Sequence, residues 1–195
     1  MSEERLGARH AEILQAFESS YPEGMRVGVE RLREKLGWLE ESRFSFSWIL
    51  FEEGEAKSYI VAYPSKSQID VPKPPTVVLI DDLMVEPDRP HDFYRLLRLM
   101  VDDMEEQDLA HLTIEANCRR TAYEVVRDHP RVISRLGYEM QGQYEYWEPG
   151  IGEEMCWVRF VPLRAPEVIA EDRFTFSADL LEELRWSENT WSRSR

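Results

Sequence analysis

Three carboxylates stand in stretches of the sequence that are otherwise apolar. Asp81 and Asp82 interrupt the apolar run 77–85, and Glu115 closes the run 111–115. Burial in such a strand raises the pKa of a carboxyl group and lets it accept a proton near neutral pH. Each of the three is therefore a candidate general base. The alternative is a carboxylate that is hydrogen-bonded within the sheet or directed at solvent.

The junction after this run has the layout of a phosphate site without its usual residues. An apolar strand ends at Val85, and the amphipathic pattern of a helix starts at Phe93. Backbone N–H groups at such a helix start bind phosphate, usually where glycines let the backbone come close. Here no glycine occurs, Pro90 lacks an N–H donor, and Asp88 and Asp92 add negative charge. The alternative is an ordinary helix start with Asp88 or Asp92 as the N-cap.

The rest of the chain supplies the elements that must position these groups. Apolar residues recur at helical or strand period in a consistent order. The predicted elements are helices at 8–19 and 27–36, a hairpin at 44–48 and 57–63, a strand at 77–85, a helix at 93–104, a strand at 111–115, a helix from 119 to 137 interrupted near Pro130, and a hairpin at 138–146 and 155–161. The strand, helix and strand over 77–115 predict a right-handed parallel crossover. The prolines of 64–75 predict a surface loop that does not join the sheet.

Composition limits the class of protein. The chain has 195 residues, 43% of them hydrophobic, which is enough for one domain with a full core. Its net charge is −14, from 38 acidic and 24 basic residues. Nucleic acids and anionic membranes bind basic patches, so this balance argues against both as partners. The excess of acid either attracts a basic partner or only keeps the protein soluble.

Cysteines and histidines give no sign of a metal or disulfide framework. Cys118 and Cys156 fall in different predicted elements without paired spacing, which favours a reducing cytoplasm. The four histidines are scattered, so no metal site is expected. Residues 1–20 lack the apolar run of a signal peptide, and no segment has the length of a transmembrane helix.

Three short motifs add to the order of elements. They are Tyr21-Pro22 before the second helix, Asp82-Leu83-Met84-Val85-Glu86-Pro87 in the central strand, and Asn117 followed by Ala122-Tyr123-Glu124 and Leu136-Gly137-Tyr138. Together with that order they resemble the GNAT superfamily of acyl-CoA-dependent N-acyltransferases over residues 8–163. The resemblance implies an α/β (α+β) domain whose mixed, largely antiparallel sheet is flanked by helices and contains one parallel β-α-β crossover.

The resemblance also implies how acetyl-CoA would bind. In the family the central strand splays from its neighbour and pairs with the pantetheine arm, which matches Leu83, Met84 and Val85 here. A glycine-rich loop then wraps the pyrophosphate, whereas this chain has a shorter segment in which Arg89 is the candidate replacement for the missing donors. Asn117 matches the asparagine of the family's helix-to-strand motif and is a further candidate for contact with acetyl-CoA. The loop is thus a degenerate version of the family pattern.

The family uses a base for the amine and often a tyrosine as the acid for the departing thiolate. The candidates for this base are Asp81, Asp82 and Glu115, all on predicted strands near the cleft. Counting forward from Asn117 makes Tyr123 the acid, but counting back from Gly137 reaches Ile133, which has no proton to donate. The alternative for Tyr123 is a packed ring with an exposed hydroxyl.

Two classes of function follow from these observations. The first is an N-acyltransferase that acts on an amine-bearing small molecule or a basic protein, with aromatic strand residues lining the acceptor pocket. The second is a GNAT-like protein that has lost acyl-CoA chemistry and binds or regulates a partner. Residues 164–195 change in pattern and predict an extension with a short helix over 178–185, docked on the domain or on a second subunit of a homodimer.

Overall fold

The computed structural model describes residues 1–42, 44–66, 76–86, 88–149 and 152–163. Its strands are β1 (Ser2–Arg5), β2 (Trp48–Glu52), β3 (Glu55–Lys66), β4 (Thr76–Val85), β5 (Ile114–Arg119), β6 (Tyr138–Glu148) and β7 (Glu153–Pro162). Its α-helices are α1 (Ala11–Glu18), α2 (Val29–Glu41), α3 (Pro90–Glu106), α4 (Arg120–Asp128) and α5 (Pro130–Arg135). Two single turns of 3₁₀-helix, Ala8–His10 and Glu23–Met25, precede α1 and α2 respectively.

The described strands form one sheet in the order β1-β2-β3-β4-β5-β7-β6. β4 and β5 are parallel and are joined through α3, while the other neighbouring strands are antiparallel. The predicted crossover and both predicted hairpins are therefore confirmed. The first hairpin turns at Glu53 and Gly54, both with positive φ, in the two-residue geometry whose twist matches that of the strands.

Two cores lie on opposite faces of the sheet. On one face, α3, α4 and α5 pack against Ile60, Val78 and Ile80, and the five buried apolar positions of α3 recur at helical spacing: Leu96, Leu97, Met100, Val101 and Met104. On the other face, α1 and α2 pack against Tyr59, Val61, Tyr63 and Leu79. β4 is thus covered on both sides, as its apolar sequence predicts.

Four local expectations were wrong. β1 was not predicted, because its sequence Ser-Glu-Glu-Arg is polar and its residues are exposed at the sheet edge. Pro64 lies within β3 opposite Val78; it is tolerated there because β2 pairs with β3 only as far as Ile60. β5 runs three to four residues later than predicted, to Arg119. The N-cap of α3 is Arg89 rather than an aspartate.

Other expectations lie outside the described residues. The remainder of the predicted loop after Lys66 and the whole extension 164–195, with its predicted helix, belong to this group.

Gly137 does end α5 with a φ of 84°, as the helix-to-strand motif predicts. None of the helices in the described part of the chain has the length and apolarity that a membrane span requires.

Candidate active site

The central feature of the sheet is an opening between its two parallel strands. β4 pairs with β5 only at Val78, Leu79 and Ile80, the last opposite Ala116. Beyond this point β4 remains paired with β3, and β5 remains paired with β7. We call the opening between residues 81–85 of β4 and 117–119 of β5 the fork. Within the described chain, no strand pairs with the two facing edges of the fork.

A β-bulge lies at the apex of the fork. Val61 pairs with Asp82 and Ala62 with Ile80, so Asp81 is an extra residue in β4. Successive strand residues normally point to opposite faces, but a bulge breaks this alternation. Both carboxylates consequently reach the face that is covered by α1 and α2, where their hydrogen-bond partners lie.

Asp82 is bound by two tyrosines. The Tyr59 hydroxyl donates to Oδ2 at 2.6 Å, and the Tyr21 hydroxyl donates to Oδ1 at 3.1 Å. The two hydroxyl oxygens are 3.1 Å apart. Burial raises the pKa of Asp82, while the hydroxyl donors and Lys35 oppose the rise. The carboxylate is therefore a better proton acceptor than an exposed aspartate.

Asp81 is bound by a tyrosine and a lysine. The Tyr63 hydroxyl donates to Oδ1 at 3.1 Å, and the Lys35 ammonium pairs with Oδ2. The Lys35 side chain is only 10% exposed, whereas that of Asp81 is 29% exposed. Burial lowers the pKa of Lys35 to about 8, and the negative charge of Asp82 opposes this fall. Lys35 was not singled out from the sequence.

The segment between α1 and α2 is fixed over these groups. Glu18 is buried at the end of α1, and its Oε2 accepts the backbone N–H of Val27 at 3.0 Å and of Gly28 at 3.4 Å. This carboxylate holds the chain where Gly28 adopts a φ of 89° and α2 begins. Tyr21 in the same segment thereby reaches Asp82 across the sheet face. The predicted acceptor-side motif Tyr21-Pro22 thus lies beside two of the predicted bases.

Glu115 is separate from this cluster. It is fully buried on β5 and faces Arg159 of β7, whose Nη2 and Nε lie 2.6 and 2.9 Å from its Oε1. A buried carboxylate held by a guanidinium is an ion pair of the sheet. Its role as a base stays a prediction.

The β4–α3 junction is closed by side-chain contacts of its own. Arg89 donates from Nε to Asp92 Oδ2 at 2.8 Å and pairs with Glu52 at the end of β2. The buried Asp92 also accepts the Ser58 hydroxyl at 3.0 Å. Arg89 therefore extends toward β2, on the side of β4 away from β5. Its predicted contact with a phosphate stays a prediction.

Two other predicted residues lie at the β5 side of the fork. Asn117 is exposed, and its amide donates to the Tyr146 hydroxyl at 2.6 Å. The Tyr146 ring stacks on Tyr144 with 5.9 Å between centroids. Tyr123 lies on the opposite face, with its ring buried in the α3 core and the Arg127 guanidinium 5.7 Å from its centroid. Ile133, the competing position, is buried in the same core.

The two cysteines face each other in the β5–β7 ladder. Cys118 pairs in register with Cys156, and its thiol lies 3.5 Å from the Cys156 carbonyl oxygen. Burial raises the pKa of both thiols, that of Cys118 to about 12. A thiol that stays protonated is a weak nucleophile, so neither cysteine competes with the carboxylate cluster as a reactive group.

Comparison with known proteins identifies the architecture. No family model and no curated protein matches the sequence. Among solved structures, Naa20 of Chaetomium thermophilum with a bisubstrate analogue superposes with a TM-score of 0.59 at 16% identity, covering 88% of this chain and 93% of that one. The ribosomal-protein-S18-alanine N-acetyltransferase of Escherichia coli gives 0.56 at 13% identity, covering 86% and 97%. The chain has the GNAT fold.

A third GNAT structure extends the range of acceptors among these neighbours. The polyamine N-acetyltransferase of Drosophila melanogaster superposes with a TM-score of 0.56 at 15% identity, covering 83% of this chain and 99% of that one. At such identities the likeness concerns the fold alone. Chemistry has to be argued from the residues of this chain.

The sequence located part of this site. It identified Asp81, Asp82 and the Tyr21 motif, which the structure brings together. It missed Lys35, although a signal existed: Lys35 falls among Leu32, Leu36 and Leu39 on the apolar stripe of α2.

A surface cleft of about 540 Å³ lined by Arg98, His111 and Arg135 lies at the opposite end of β5 and contains none of the candidate residues.

Proposed function

We propose that this protein is an acyl-CoA-dependent N-acetyltransferase whose donor thioester lies in the fork. The observation that carries the proposal is the fork itself, which has two carboxylates at its apex and an unfilled strand edge beside them. A strand edge of this kind pairs with an extended, amide-rich chain. The pantetheine arm of acetyl-CoA has that chemistry.

The donor would align with residues 83–85 of β4. Leu83, Met84 and Val85 pair with Ile60, Tyr59 and Ser58 of β3 on one side. Since alternate residues of a strand direct their N–H and C=O groups to opposite edges, part of this segment directs its groups into the fork. Asn117 lies on the other wall of the fork, on β5, and is the proposed side-chain contact there.

The acceptor amine would approach from the face that carries α1 and α2. Its neutral nitrogen attacks the thioester carbonyl, and its proton passes to Asp82, because Asp81 is already paired with Lys35. The C–S bond then breaks, and the thiolate takes a proton from the opposite face, where Tyr123 lies. Burial raises the pKa of Tyr123, so its hydroxyl stays protonated at neutral pH, as the proposed acid must.

Charge supports a cationic acceptor. The apex presents two carboxylates, one of them paired with Lys35, and three tyrosine hydroxyls, and the chain as a whole carries a net charge of −14. Carboxylates beside aromatic rings suit an ammonium group. An amine-bearing small molecule or a basic peptide is therefore the proposed substrate class.

Thermal unfolding with acetyl-CoA tests donor binding, and release of free thiol in the presence of an amine tests transfer. A ligand at a hundredfold its Kd adds about 2.7 kcal/mol of apparent stability. We expect stabilisation in the wild type and in Asp82→Asn, with thiol release lost only in the variant. Absence of both stabilisation and thiol release at millimolar acetyl-CoA would overturn the proposal.

A second candidate function is a binding protein without acyl transfer. The closed β4–α3 junction favours it, because Arg89 is bound to Glu52 and Asp92 and the segment 85–93 contains no glycine. Under this alternative, acetyl-CoA leaves the unfolding temperature unchanged. A cationic peptide that binds the apex would then stabilise the wild type but not an Asp81→Asn/Asp82→Asn variant.

A further inference from the structure

Lys35 is a buried amine at the apex of the fork. Lysine is scarce in this chain: of 24 basic residues, only those at 35, 57, 66 and 73 are lysines. Lys35 lies on the buried stripe of α2, where the neighbouring positions are leucines. A lysine at such a position loses the hydration of its ammonium, which disfavours the charged form.

Two opposing effects act on the Lys35 ammonium. Its Nζ contacts the carboxylate of Asp81, which Tyr63 also binds. Its pKa is lowered to about 8 by burial. The contact with Asp81 opposes this fall, because a carboxylate beside the ammonium favours the charged form. Lys35 is therefore a buried amine in direct contact with a carboxylate that can accept its proton.

The position of Asp81 relates this amine to the donor. Asp81 directly follows Ile80, the last residue of β4 that pairs with β5. Asp81 is also the extra residue of the β-bulge, so its side chain does not follow the regular alternation of faces along the strand. Lys35 consequently lies one side-chain contact from the residue at which the fork opens. An acyl group at the apex would be beside this amine before any external acceptor arrives.

We propose that Lys35 is a self-acetylation site of this protein, an inference that rests on the proposed binding of acetyl-CoA in the fork. The neutral Nζ attacks the thioester carbonyl, and a C–N bond forms while the C–S bond breaks. Asp81 takes the proton that the nitrogen loses, and the thiolate leaves as free CoA after protonation. The product is a neutral amide at position 35, with one CoA thiol released per chain.

The test uses the full chain incubated with acetyl-CoA at pH 7.5, followed by proteolysis and peptide mass spectrometry over time. Lys57 is the internal control, because it lies on β3 away from the fork apex with its side chain 22% exposed, and its pKa is raised by Glu55. Chemical acetylation without a site favours accessible amines. We expect Lys35 to acquire an acetyl group about tenfold faster than Lys57 or more, because a thioester bound at the apex lies beside Lys35 and not beside Lys57.

Two further measurements separate a site effect from accessibility. Asp81→Asn should reduce acetylation of Lys35 to the rate of Lys57, and urea-unfolded protein should label both lysines alike. If acetyl-CoA stabilises the protein but Lys35 reacts no faster than Lys57, the self-acetylation is wrong while donor binding stands. If acetyl-CoA neither stabilises the protein nor releases thiol, both proposals are overturned. The comparison within the wild-type chain holds even if the variant does not fold.

Discussion

Asp82 shows how burial sets the chemistry of a single residue. Its carboxylate is half-buried between Tyr21 and Tyr59, and desolvation outweighs these donors in raising its pKa. An acid whose pKa is higher in the folded state favours folding when it is protonated. This contribution is complete below the ordinary aspartate pKa of about 3.9 and is lost as the pH rises through the folded value. The residue proposed as a base therefore costs stability at neutral pH.

We expect Asp82→Asn to be more stable than the wild type at pH 7 while losing acyl transfer. The amide keeps an acceptor for Tyr59 but carries no charge to desolvate, and each tenfold change in the acid dissociation constant corresponds to about 1.4 kcal/mol. Urea unfolding at pH 4 to 7 measures this, and the stability gain should grow with pH. Asp102→Asn is the control, since Asp102 is half-exposed and pairs with Arg98. A gain that does not change with pH would contradict the assignment.

Single functional residues were predictable where their immediate neighbours in the sequence make them unusual. Aspartates within an apolar strand are visible in one window, and so Asp81 and Asp82 were identified. Their partners Lys35, Tyr59 and Tyr63 are 46, 23 and 18 residues away along the chain. Such contacts depend on how α2 and β3 pack on β4. These contacts could therefore not be predicted from the sequence alone.

At the scale of elements, the bulge in β4 decides which way the carboxylates point. Asp81 is the residue without a partner in the β3–β4 ladder, and Val61 and Ala62 are consecutive opposite it. Removal of Asp81 would leave Ile80 and Asp82 adjacent in a regular ladder. The later residues 82–85 would then keep their faces, because the bulge is the only addition to the alternation in this described stretch.

We therefore expect deletion of Asp81 to be tolerated far better than deletion of Leu83. Both deletions are made in a Lys35→Met background, so that no buried ammonium loses its carboxylate. Loss of Leu83 shifts the register by one residue and moves Met84 and Val85 to the wrong faces. The difference in unfolding free energy should be about 2 kcal/mol or more in favour of the Asp81 deletion. Equal losses in urea unfolding would show that the bulge is not the source of the orientation.

Helices and strands were predictable where the apolar residues of the sequence recur with a single clear period. The helix α3 and the strand β4 carry strong apolar patterns, and both were located within a few residues. The edge strand β1 has no apolar alternation, since all four of its residues are exposed, so its pairing with β2 could not be read. Pro64 was misread because its tolerance depends on where β2 stops.

At the scale of the whole molecule, the fold follows from the order of its elements more than from individual residues. Two helices, a hairpin, a crossover and a closing hairpin reproduce the GNAT sheet at 16% identity or less to the three neighbours compared. Each face of β4 is sealed by a separate core, and this leaves only its edge beyond Ile80 for a ligand.

The net charge of −14 gives a prediction about the acceptor that no single residue carries. An acidic protein attracts polycations over about a Debye length, which falls from roughly 10 Å at 0.1 M salt to 3 Å at 1 M. We expect kcat/KM for a triamine such as spermidine to fall by about tenfold between 0.05 and 0.5 M salt. A monoamine of similar length should change much less, since the long-range attraction acts on total charge. If kcat/KM for the two amines depended equally on salt, the amine would be recognised by the apex carboxylates alone. The surface charge would then only keep the protein soluble.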